Sequence, residues 1–399
     1  MDDDAYEGFG AAQGNRTTTT GSPTDPPARR LRIGLIAPPW VPVPPTTYGG
    51  TEGLIDTLAR GLDAAGHDVV LFTTGDSTCP VTRLSVFERP AEPMGSTTAE
   101  CRHAQAAYDA LKDCDVIHDH TTVGPVWAAA RGLTTPVITT CHGEFTPENL
   151  ALYREIATWA SVTAISRHQR WLAPTVPMAA VIHHGVDPAL FTVGAGQGGY
   201  AMFLGRLAPE KGAHEAIKIA RAAGIPLRIA AKMREPDEIR YFHEQIEPEL
   251  GPGVEYLGEI SPAQRDHELG EAIALLNPIR WAEPFGLVMI EALACGTPVI
   301  TYPSGAAPEI IQHGVTGFVC TNIAEATEAL GKAALIDRTM CREAVEGYFS
   351  SRRMVAEYVA LYERIALGGT TVDLTQERAE QQVSLREEAH SLLMELGPA

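Results

Sequence analysis

The fold is decided by the stretch YAMFLGRLAPEKG, residues 200–212. Its first part, Tyr200 to Gly205, is an apolar run of the length of a buried strand, and a helix is predicted to open at Gly212 and to end at Ala223. Similar strand-like runs alternate with helix-like stretches along most of the chain. Such alternation predicts an α/β protein whose parallel sheets are covered by helices on both faces.

The strand-like runs fall into two series. The first comprises Leu31 to Ala37, Asp68 to Thr73, Asp115 to His118, Pro136 to Thr140, Ser161 to Ser166 and Ala179 to His183. The second comprises Tyr200 to Gly205, Pro226 to Ala231, Val254 to Leu257, Ile273 to Asn277, Pro298 to Thr301 and Gly317 to Cys320. Because 399 residues exceed what one core usually supports, two facing Rossmann-like, doubly wound domains are the simplest account. Ligands of such sheets bind beyond the carboxyl ends of the strands, so we expect the site in the interdomain cleft.

The predicted domain boundaries follow from this division. They are a disordered polar lead at 1–30, an N-terminal domain at 31–187, a C-terminal domain at 198–350 and an acidic tail at 371–399. The glycine-rich segment Thr192 to Gly199 is predicted to be a flexible connection between the domains. It matches the G-x-G-x-x-G dinucleotide fingerprint, but it precedes a strand instead of following one, which disfavours dinucleotide binding.

Composition excludes several classes of protein. The net charge of -19 argues against a general nucleic-acid surface, which needs clustered Lys and Arg. No apolar run approaches the length of a membrane span, and the acidic N-terminus does not resemble a signal peptide. The seven cysteines are scattered without a CxxC pair, which favours reduced thiols. These features predict a cytoplasmic protein.

A basic pair follows the strand Tyr200 to Gly205. Arg206 lies at the carboxyl end of this strand and Lys211 lies just before the next helix. Two cations beside a helix N-terminus suit a diphosphate, because the fork of Arg, the point charge of Lys and the helix N–H groups all attract anions. The alternative, two exposed cations in a turn, stays open at this point.

The most informative stretch is WAEPFGLVMIEALACG, residues 281–296. Pro284 predicts a helix start and Gly296 its end, while the apolar interior predicts a buried helix. Glu283 precedes this helix and Glu291 lies in its second turn. At 1.5 Å per residue the two carboxylates are separated by roughly 12 Å along the axis, about the span from a donor sugar to a ribose.

The start of this helix and its buried glutamate, Glu291, lead to two further predictions. Phosphates placed between the two carboxylates would meet the helix N-terminus at Phe285, Gly286 and Leu287. A glutamate inside an apolar helix needs a partner. That partner is either a structural Arg or Lys or the hydroxyl groups of a ligand. We favour the ligand for Glu291, because the carboxylates, helix start and basic pair describe one consistent molecule.

Three further loops follow predicted strands. In the first, Tyr48 to Glu52, paired glycines before a helix would let the backbone approach a ligand, although an ordinary turn is equally possible. In the second, His118-Asp119-His120, the better site candidate is His120. In the third, Thr140 to Glu144, His142 and Glu144 suit a hydroxylated acceptor or simply form a polar loop.

A metal site is not expected from these patterns. Asp113-Cys114-Asp115 formally matches D-x-D, but it precedes its strand, whereas metal-binding loops of such sheets follow theirs.

Together these motifs resemble the large family-four group of retaining glycosyltransferases, which have the GT-B fold. The resemblance covers about residues 31–366. Its specific parts are Gly205-Arg206-Leu207, Glu210-Lys211-Gly212, Glu283-Pro284-Phe285-Gly286, Glu291 to Val299, Tyr48 to Glu52, Gly66 to Val69 and the hinge-like His184 to Asp187. The turn Ala230 to Met233 departs from the family's Gly-rich turn, which leaves the nucleobase contacts undetermined.

The resemblance implies a role for each matched residue. Arg206 and Lys211 would bind the donor diphosphate, which Gly50 would approach from the N-terminal domain. Glu291 would hold the ribose hydroxyls, and Glu283 the hydroxyls of the donor sugar. His120 matches the active-site histidine of the family, beside the sugar.

The resemblance also implies what the enzyme binds and where its last helix lies. The family needs neither metal nor cofactor, since the nucleotide sugar is a substrate. Tyr48, His142 and Glu144 would then lie on the acceptor side. A helix near Arg352 to Ala366, within residues 351–370, would cross back onto the N-terminal domain.

The expected activity is transfer of a hexose, from a UDP-glucose-type donor or GDP-mannose, to a hydroxyl of a carbohydrate or other small acceptor, for example in polysaccharide biosynthesis. Two alternatives stay open. One is a nucleotide-sugar epimerase on the same scaffold, and the other is an inactive protein that binds sugar nucleotides.

Overall fold

The computed structural model describes residues 29–46 and 49–368. The first sheet comprises β1 (Arg32–Ile36), β2 (Asp68–Phe72), β3 (Thr82–Leu84), β4 (Val116–Asp119), β5 (Val137–Thr140), β6 (Ser161–Ala164) and β7 (Met178–Val181). The helices of this domain are α1 (Gly50–Ala64), α2 (Thr97–Leu111), α3 (Gly124–Ala130), α4 (Pro147–Ile156) and α5 (Arg167–Leu172). Tyr48 and the tail 371–399 lie outside the described residues, as does nearly all of the lead.

A second sheet follows a short 3₁₀ turn at Pro188–Leu190. It comprises β8 (Ala201–Arg206), β9 (Leu227–Lys232), β10 (Val254–Gly258), β11 (Leu275–Asn277), β12 (Val299–Thr301) and β13 (Gly317–Val319). Its helices are α6 (Ala213–Ala223), α7 (Pro236–Tyr241), α8 (Pro262–Glu271), α9 (Leu287–Ala294), α10 (Ala307–Ile310), α11 (Ile323–Lys332) and α12 (Arg338–Gly347), and the last helix described is α13 (Ser351–Ala366). Short 3₁₀ turns lie at Pro209–Lys211, Glu247–Glu249 and Ala333–Leu335, and a π-helical segment lies at Phe242–Ile246.

The two sheets share one strand order, except that the seven-stranded first sheet has the additional edge strand β7. Their strand orders are β3-β2-β1-β4-β5-β6-β7 and β10-β9-β8-β11-β12-β13, and the pairings are parallel. In each sheet the direction of winding reverses beside the first strand, between β1 and β4 and between β8 and β11. Such switch points open a crevice at the carboxyl ends of the strands. The segment after β1 leads to Gly50 at the start of α1, and the segment after β8 contains Lys211, so both residues lie at these two crevices.

The apolar strands are buried on both faces, as the continuous apolar runs predicted. Ile33 and Leu35 pack with Leu58 of α1 on one face of the first sheet. Ile36 packs with Tyr108 of α2 on the opposite face. Because successive residues of a strand point to opposite faces, a strand covered on both sides needs an apolar residue at nearly every position.

The glycine-rich segment before β8 differs from the flexible connection predicted for it. The amides of Gly194, Gly196 and Gly198 donate to the carbonyl groups of Cys295, Gly270 and Glu271 at 2.9–3.1 Å. The Arg338 guanidinium also binds the carbonyl of Gly194, at 2.9 Å. These bonds fix the segment to the C-terminal domain, so the expectation of flexibility is wrong.

The last helix, α13, packs against α1 of the first domain. The chain returns at Val186, whose amide and carbonyl bond with Phe349 and Ser351 at 2.9 and 2.7 Å. Tyr358 and Tyr362 of α13 are fully buried in the first domain's core. In the part of the chain that the structure describes, no helix is both long and apolar enough to cross a membrane.

Candidate active site

A cleft of about 640 Å³ lies between the two sheets. The first domain contributes Gly50, Glu52, His142 and His184 to its lining, and the second contributes Lys211, Glu283, Phe285, Gly286, Leu287 and Glu291. This volume is within the range of cavities that hold small ligands. The sequence motifs of both domains therefore meet at one site.

Two helix N-termini meet in this cleft. α1 begins at Gly50 and α9 begins at Leu287. A Cβ atom added at Gly50 would lie 3.3 Å from Cδ1 of Leu287, so the two ends are in contact range. Each helix start has unpaired N–H groups and the positive end of the helix dipole. Their convergence forms a site suited to an anion.

Glu283 is held by two neighbours. Its Oε2 accepts hydrogen bonds from Nζ of Lys211 and from Nε1 of Trp281, the latter at 2.9 Å. The Lys211 ammonium also lies 4.9 Å from the centre of the Trp281 ring, a cation–π contact. Lys211 therefore both balances the charge of this carboxylate and presents a cation to the cleft.

The segment after Glu283 corrects one sequence prediction. The helix starts at Leu287, with Gly286 as its N-cap, and not at Pro284. Gly286 has φ +101°, a backbone conformation that only glycine adopts without strain, and this turn delays the helix. The rise of 1.5 Å per residue therefore applies only from Leu287 to Glu291, a distance of about 6 Å along the helix axis. The remaining separation between Glu283 and Glu291 is spanned by a loop.

Arg206 does not line the cleft that Lys211 lines. Its guanidinium binds Glu210 at 2.9 Å and Glu238 at 3.4 Å, and it lines a separate cavity of about 880 Å³. Two carboxylates thus hold the Arg206 guanidinium outside the cleft, and the shared binding of one diphosphate by Arg206 and Lys211 stays a prediction. Cations that line the cleft besides Lys211 include Lys232, Arg234 and Arg265.

Arg265, which sequence reasoning missed, is the partner of Glu291. Its Nη1 donates to Oε1 of Glu291 at 2.7 Å, and its Nη2 pairs with Asp266 at 2.8 Å. Burial raises the pKa of Glu291, and the charge of Arg265 opposes that effect. The structural cation that we disfavoured is thus the partner observed, so the burial of Glu291 does not by itself require a ligand.

Four histidines form a row from the core of the first domain to the cleft: His118, His120, His142 and His184. Successive ring centres are 4.0, 5.1 and 5.5 Å apart. Nδ1 of His120 and Nε2 of His142 share a hydrogen bond of 2.8 Å. Burial lowers the pKa of each ring, to about 3 for His118 and about 4 for His142. The row is therefore neutral at pH 7.

Sequence comparison assigns both halves of the chain. Residues 48–193 match the family described as Glycosyltransferase Family 4, and residues 195–347 match Glycosyl transferases group 1. The chain belongs to the family-four glycosyltransferases. The predicted family is thereby confirmed.

Individual relatives of this glycosyltransferase span most of its length. N-acetyl-alpha-D-glucosaminyl L-malate synthase from Bacillus anthracis is 23% identical and aligns over 84% of this chain and 97% of its own. Phosphatidyl-myo-inositol mannosyltransferase from Mycolicibacterium smegmatis is 27% identical over 72% of this chain and 80% of its own. AviGT4, a glycosyltransferase involved in avilamycin A biosynthesis, superposes with a TM-score of 0.64 at 26% identity, covering 85% and 98% of the two chains. The predicted GT-B fold is confirmed.

The candidate site residues of the first domain differ in whether they line the cleft. His142 lines the cleft, whereas His120 lies one ring behind it, with its buried Nε2 unpartnered among the described residues. Glu144 is exposed and outside the cleft lining. Tyr48 lies outside the described residues. In the row of rings His120 lies nearer the cleft than His118, and the ring of His142 lies next to it on the cleft side.

Glu52 of the glycosyltransferase is a cleft residue to which sequence reasoning gave no role. It lies in the first turn of α1, its exposed fraction is 7%, and it lines the cleft. Burial raises the pKa of this carboxyl to about 7, although a backbone hydrogen bond opposes the shift. The sequence signal was the motif Tyr48 to Glu52, which we interpreted through its glycines alone.

Metal ligation has no obvious centre in the described parts of the glycosyltransferase. Within residues 29–46 and 49–368, no group of three or more His, Cys, Asp or Glu side chains is arranged to hold a metal ion. Asp115 of the D-x-D match instead accepts hydrogen bonds from Arg29 and from the amide of Arg32.

Proposed function

We propose that this glycosyltransferase moves a hexose from a nucleotide-diphosphate sugar to a hydroxyl of a carbohydrate or other small acceptor, with retention at the anomeric carbon and without a metal. The observation that carries the proposal is the meeting of two helix N-termini at Gly50 and Leu287. A diphosphate is the part of such a donor that needs this environment.

The charge balance of the cleft supports diphosphate binding. Lys211, Lys232, Arg234 and Arg265 line the cleft beside the two helix ends. Cations and backbone N–H groups together stabilise phosphate oxygens without a metal ion. The acidic net charge of the whole chain does not oppose this local effect, because bulk charge is screened over about 10 Å.

The two glutamates flank that anion site. Glu283, fixed by Lys211 and Trp281, would accept hydrogen bonds from hydroxyls of the donor sugar. Glu291 uses Oε1 for Arg265, which leaves Oε2 for the ribose hydroxyls. The order sugar, phosphates, ribose then follows the order Glu283, Leu287, Glu291 along the chain.

The proposed chemistry is displacement on one face of the sugar. The acceptor oxygen forms its bond to the anomeric carbon while the bond from that carbon to the phosphate oxygen breaks, and the acceptor proton passes to the leaving phosphate. The neutral rings of His142 and His184 would position hydroxyl groups at the cleft without adding charge. Positioning and stabilisation of the leaving phosphate are then the protein's contributions.

The first experiment is a thermal-shift screen of UDP, GDP and ADP, with nucleosides as controls for the diphosphate. A nucleotide at about 100 times its dissociation constant stabilises by about 2.7 kcal/mol, enough to identify the base. No shift with any diphosphate would contradict the proposal.

The second experiment tests transfer and its stereochemistry. The matching glucose, mannose and N-acetylglucosamine donors are incubated with simple sugar acceptors, and the anomeric proton of the product is followed by NMR. Retention supports the proposal and inversion contradicts it. Epimerised donor without acceptor would identify the epimerase alternative.

Glu283→Gln should lower turnover more than nucleotide affinity.

A further inference from the structure

Glu309 forms a bridge between the two domains. It lies on α10 of the second domain, and its carboxylate accepts hydrogen bonds from the amides of Arg167 and His168 at 2.9 and 2.7 Å. These amides are the first two of α5 in the first domain. Ser166 caps the third amide, that of Gln169, at 3.0 Å. A carboxylate of one domain thus completes the cap of a helix in the other.

A third bond holds the same carboxylate. Nε2 of His183 donates to Oε2 of Glu309 at 2.7 Å, while Nδ1 of His183 accepts from the hydroxyl of Tyr348 at 3.0 Å. Burial alone would raise the pKa of Glu309, but the bonds from His183 and the two amides hold it below its usual value. The carboxylate of Glu309 is therefore ionised at pH 7. His183, which donates to it, directly precedes His184 of the cleft lining.

On the side of the first domain, the bridge leads to His142. The next residue of the capped helix, Gln169, donates through Nε2 to the carbonyl groups of Cys141 and Gly143, each at 2.9 Å. These two carbonyls flank His142 directly. Any shift of α5 would therefore move the backbone that carries this cleft histidine.

On the side of the second domain, the bridge leads to Glu283. The amide of Ala306, one residue before α10, donates to the carbonyl of Glu283 at 2.9 Å. A displacement of α10 would therefore move the loop of the proposed sugar-binding carboxylate. Hydrogen bonds thus connect Glu309 through α5 to the loop of His142 and through α10 to the loop of Glu283.

We propose that Glu309 is a positioning residue that couples the two halves of the active site, setting the loop of His142 against the loop of Glu283. The proposal rests on the proposed function for the identity of the reacting groups, but the coupling itself has a physical readout that needs no substrate. Glu309 touches neither donor nor acceptor in this scheme.

The test compares Glu309→Ala and Glu309→Gln with a matched control, Glu325→Ala. Glu325 also caps a helix start, and its carboxylate accepts hydrogen bonds from the amide and hydroxyl of Thr321 at 2.7 and 2.9 Å. Thr321 and Glu325 belong to the same domain, so this cap does not connect the two domains. Amide hydrogen exchange is measured on the full chain for peptides spanning 139–146, 165–172 and 281–286. Where the donor screen yields activity, kcat and the affinity for the matching nucleoside diphosphate are measured in parallel.

We expect Glu309→Ala to speed exchange at least tenfold in all three segments, Glu309→Gln to give a smaller change, and Glu325→Ala to leave them unaltered. In an active enzyme, kcat of Glu309→Ala should fall at least tenfold, while its affinity for the nucleoside diphosphate should stay within twofold of the wild type. The reason is that misplaced loops affect the chemical step more than binding of the base.

Unchanged exchange in 139–146 or 281–286 overturns the coupling, even if the enzyme is inactive. An inactive wild type with the expected exchange pattern contradicts only the proposed function. If Glu309→Ala fails to fold, Glu309→Gln decides by the same criteria.

Discussion

Gly50 and Leu287 stand at the start of two helices from different domains, and a Cβ atom on Gly50 would come to 3.3 Å from Cδ1 of Leu287. The absence of a side chain at Gly50 therefore sets how closely the domains approach. It also leaves the first N–H groups of α1 open to an anion in the cleft.

Gly50→Val should weaken binding of the nucleoside diphosphate at least tenfold, because the added side chain separates the two helix ends and covers the amides. Isothermal titration calorimetry measures this. Gly53→Ala is the control, since its Cβ would meet nothing closer than 3.9 Å. Adding Leu287→Ala to Gly50→Val should restore part of the affinity, and a failure to do so would argue against the contact as the cause.

Lys211→Ala should weaken nucleoside diphosphate binding by about 1–3 kcal/mol, the cost of a lost charged hydrogen bond. Arg206→Ala should have a clearly smaller effect, because Arg206 binds Glu210 and Glu238 outside the cleft. Calorimetry on both variants checks the order. Equal losses would mean that Arg206 turns into the cleft when the donor binds.

Glu291→Gln should lower nucleotide affinity about tenfold through a weaker bond to the ribose, and lower the free energy of unfolding by about 1–3 kcal/mol because Arg265 keeps only one of its two charged partners, Asp266. Urea titration and calorimetry separate the two effects. Adding Arg265→Met should recover part of the stability but none of the affinity. If the double variant is no more stable than Glu291→Gln, the pair does not determine the stability loss.

Glu52→Gln should stabilise the fold at alkaline pH. The pKa of Glu52 is raised from 4.5 to about 7, so the folded state holds a proton that the unfolded state has released, and the wild type loses stability as pH rises between these values. The raised pKa lowers the free energy of unfolding of the wild type by roughly 3 kcal/mol at most above pH 7, and it has no effect below pH 4.5. Urea titrations at pH 5 and pH 8 measure the difference.

The control for that prediction is Glu325→Gln. Hydrogen bonds from the amide and hydroxyl of Thr321 lower the pKa of Glu325, so its ionised form stabilises the fold and the variant should lose stability above the usual pKa. A Glu52→Gln variant that changes in the same direction as Glu325→Gln would contradict the buried, protonated state of Glu52.

The sheets were predictable because burial on both faces produces apolar runs that the sequence displays directly. The exception is β3, Thr82–Leu84, whose three residues are exposed and which pairs with β2 at the edge of the sheet. Strand pairing of this kind leaves no apolar pattern to detect. The late start of α9 was also missed, because a proline at Pro284 favours a helix start and the positive φ of Gly286 overrides it.

Site residues were predictable where they lie in contiguous loops at strand ends, as Gly50, Lys211 and Glu283 do. Contacts between distant segments were not. Arg265 is 26 residues from Glu291, and Glu309 is 141 residues from His168. The position of Arg206 at a strand end was correct, but its direction depends on Glu238, which is 32 residues away. Side-chain direction at a cleft is set by such tertiary neighbours, which spacing along the chain does not reveal.

The burial of α13 in the first domain has a consequence for the order of synthesis. Tyr358 and Tyr362 of α13 pack in a core that is otherwise formed largely by residues between Leu31 and Ile182, and Tyr362 hydrogen-bonds His118 at 2.7 Å. On the ribosome, the core of this domain can close only after α13 has emerged, behind the whole of the C-terminal domain. During that interval its uncovered apolar surface is available to chaperones, so this N-terminal half cannot mature ahead of the C-terminal half as domains made in sequence generally do.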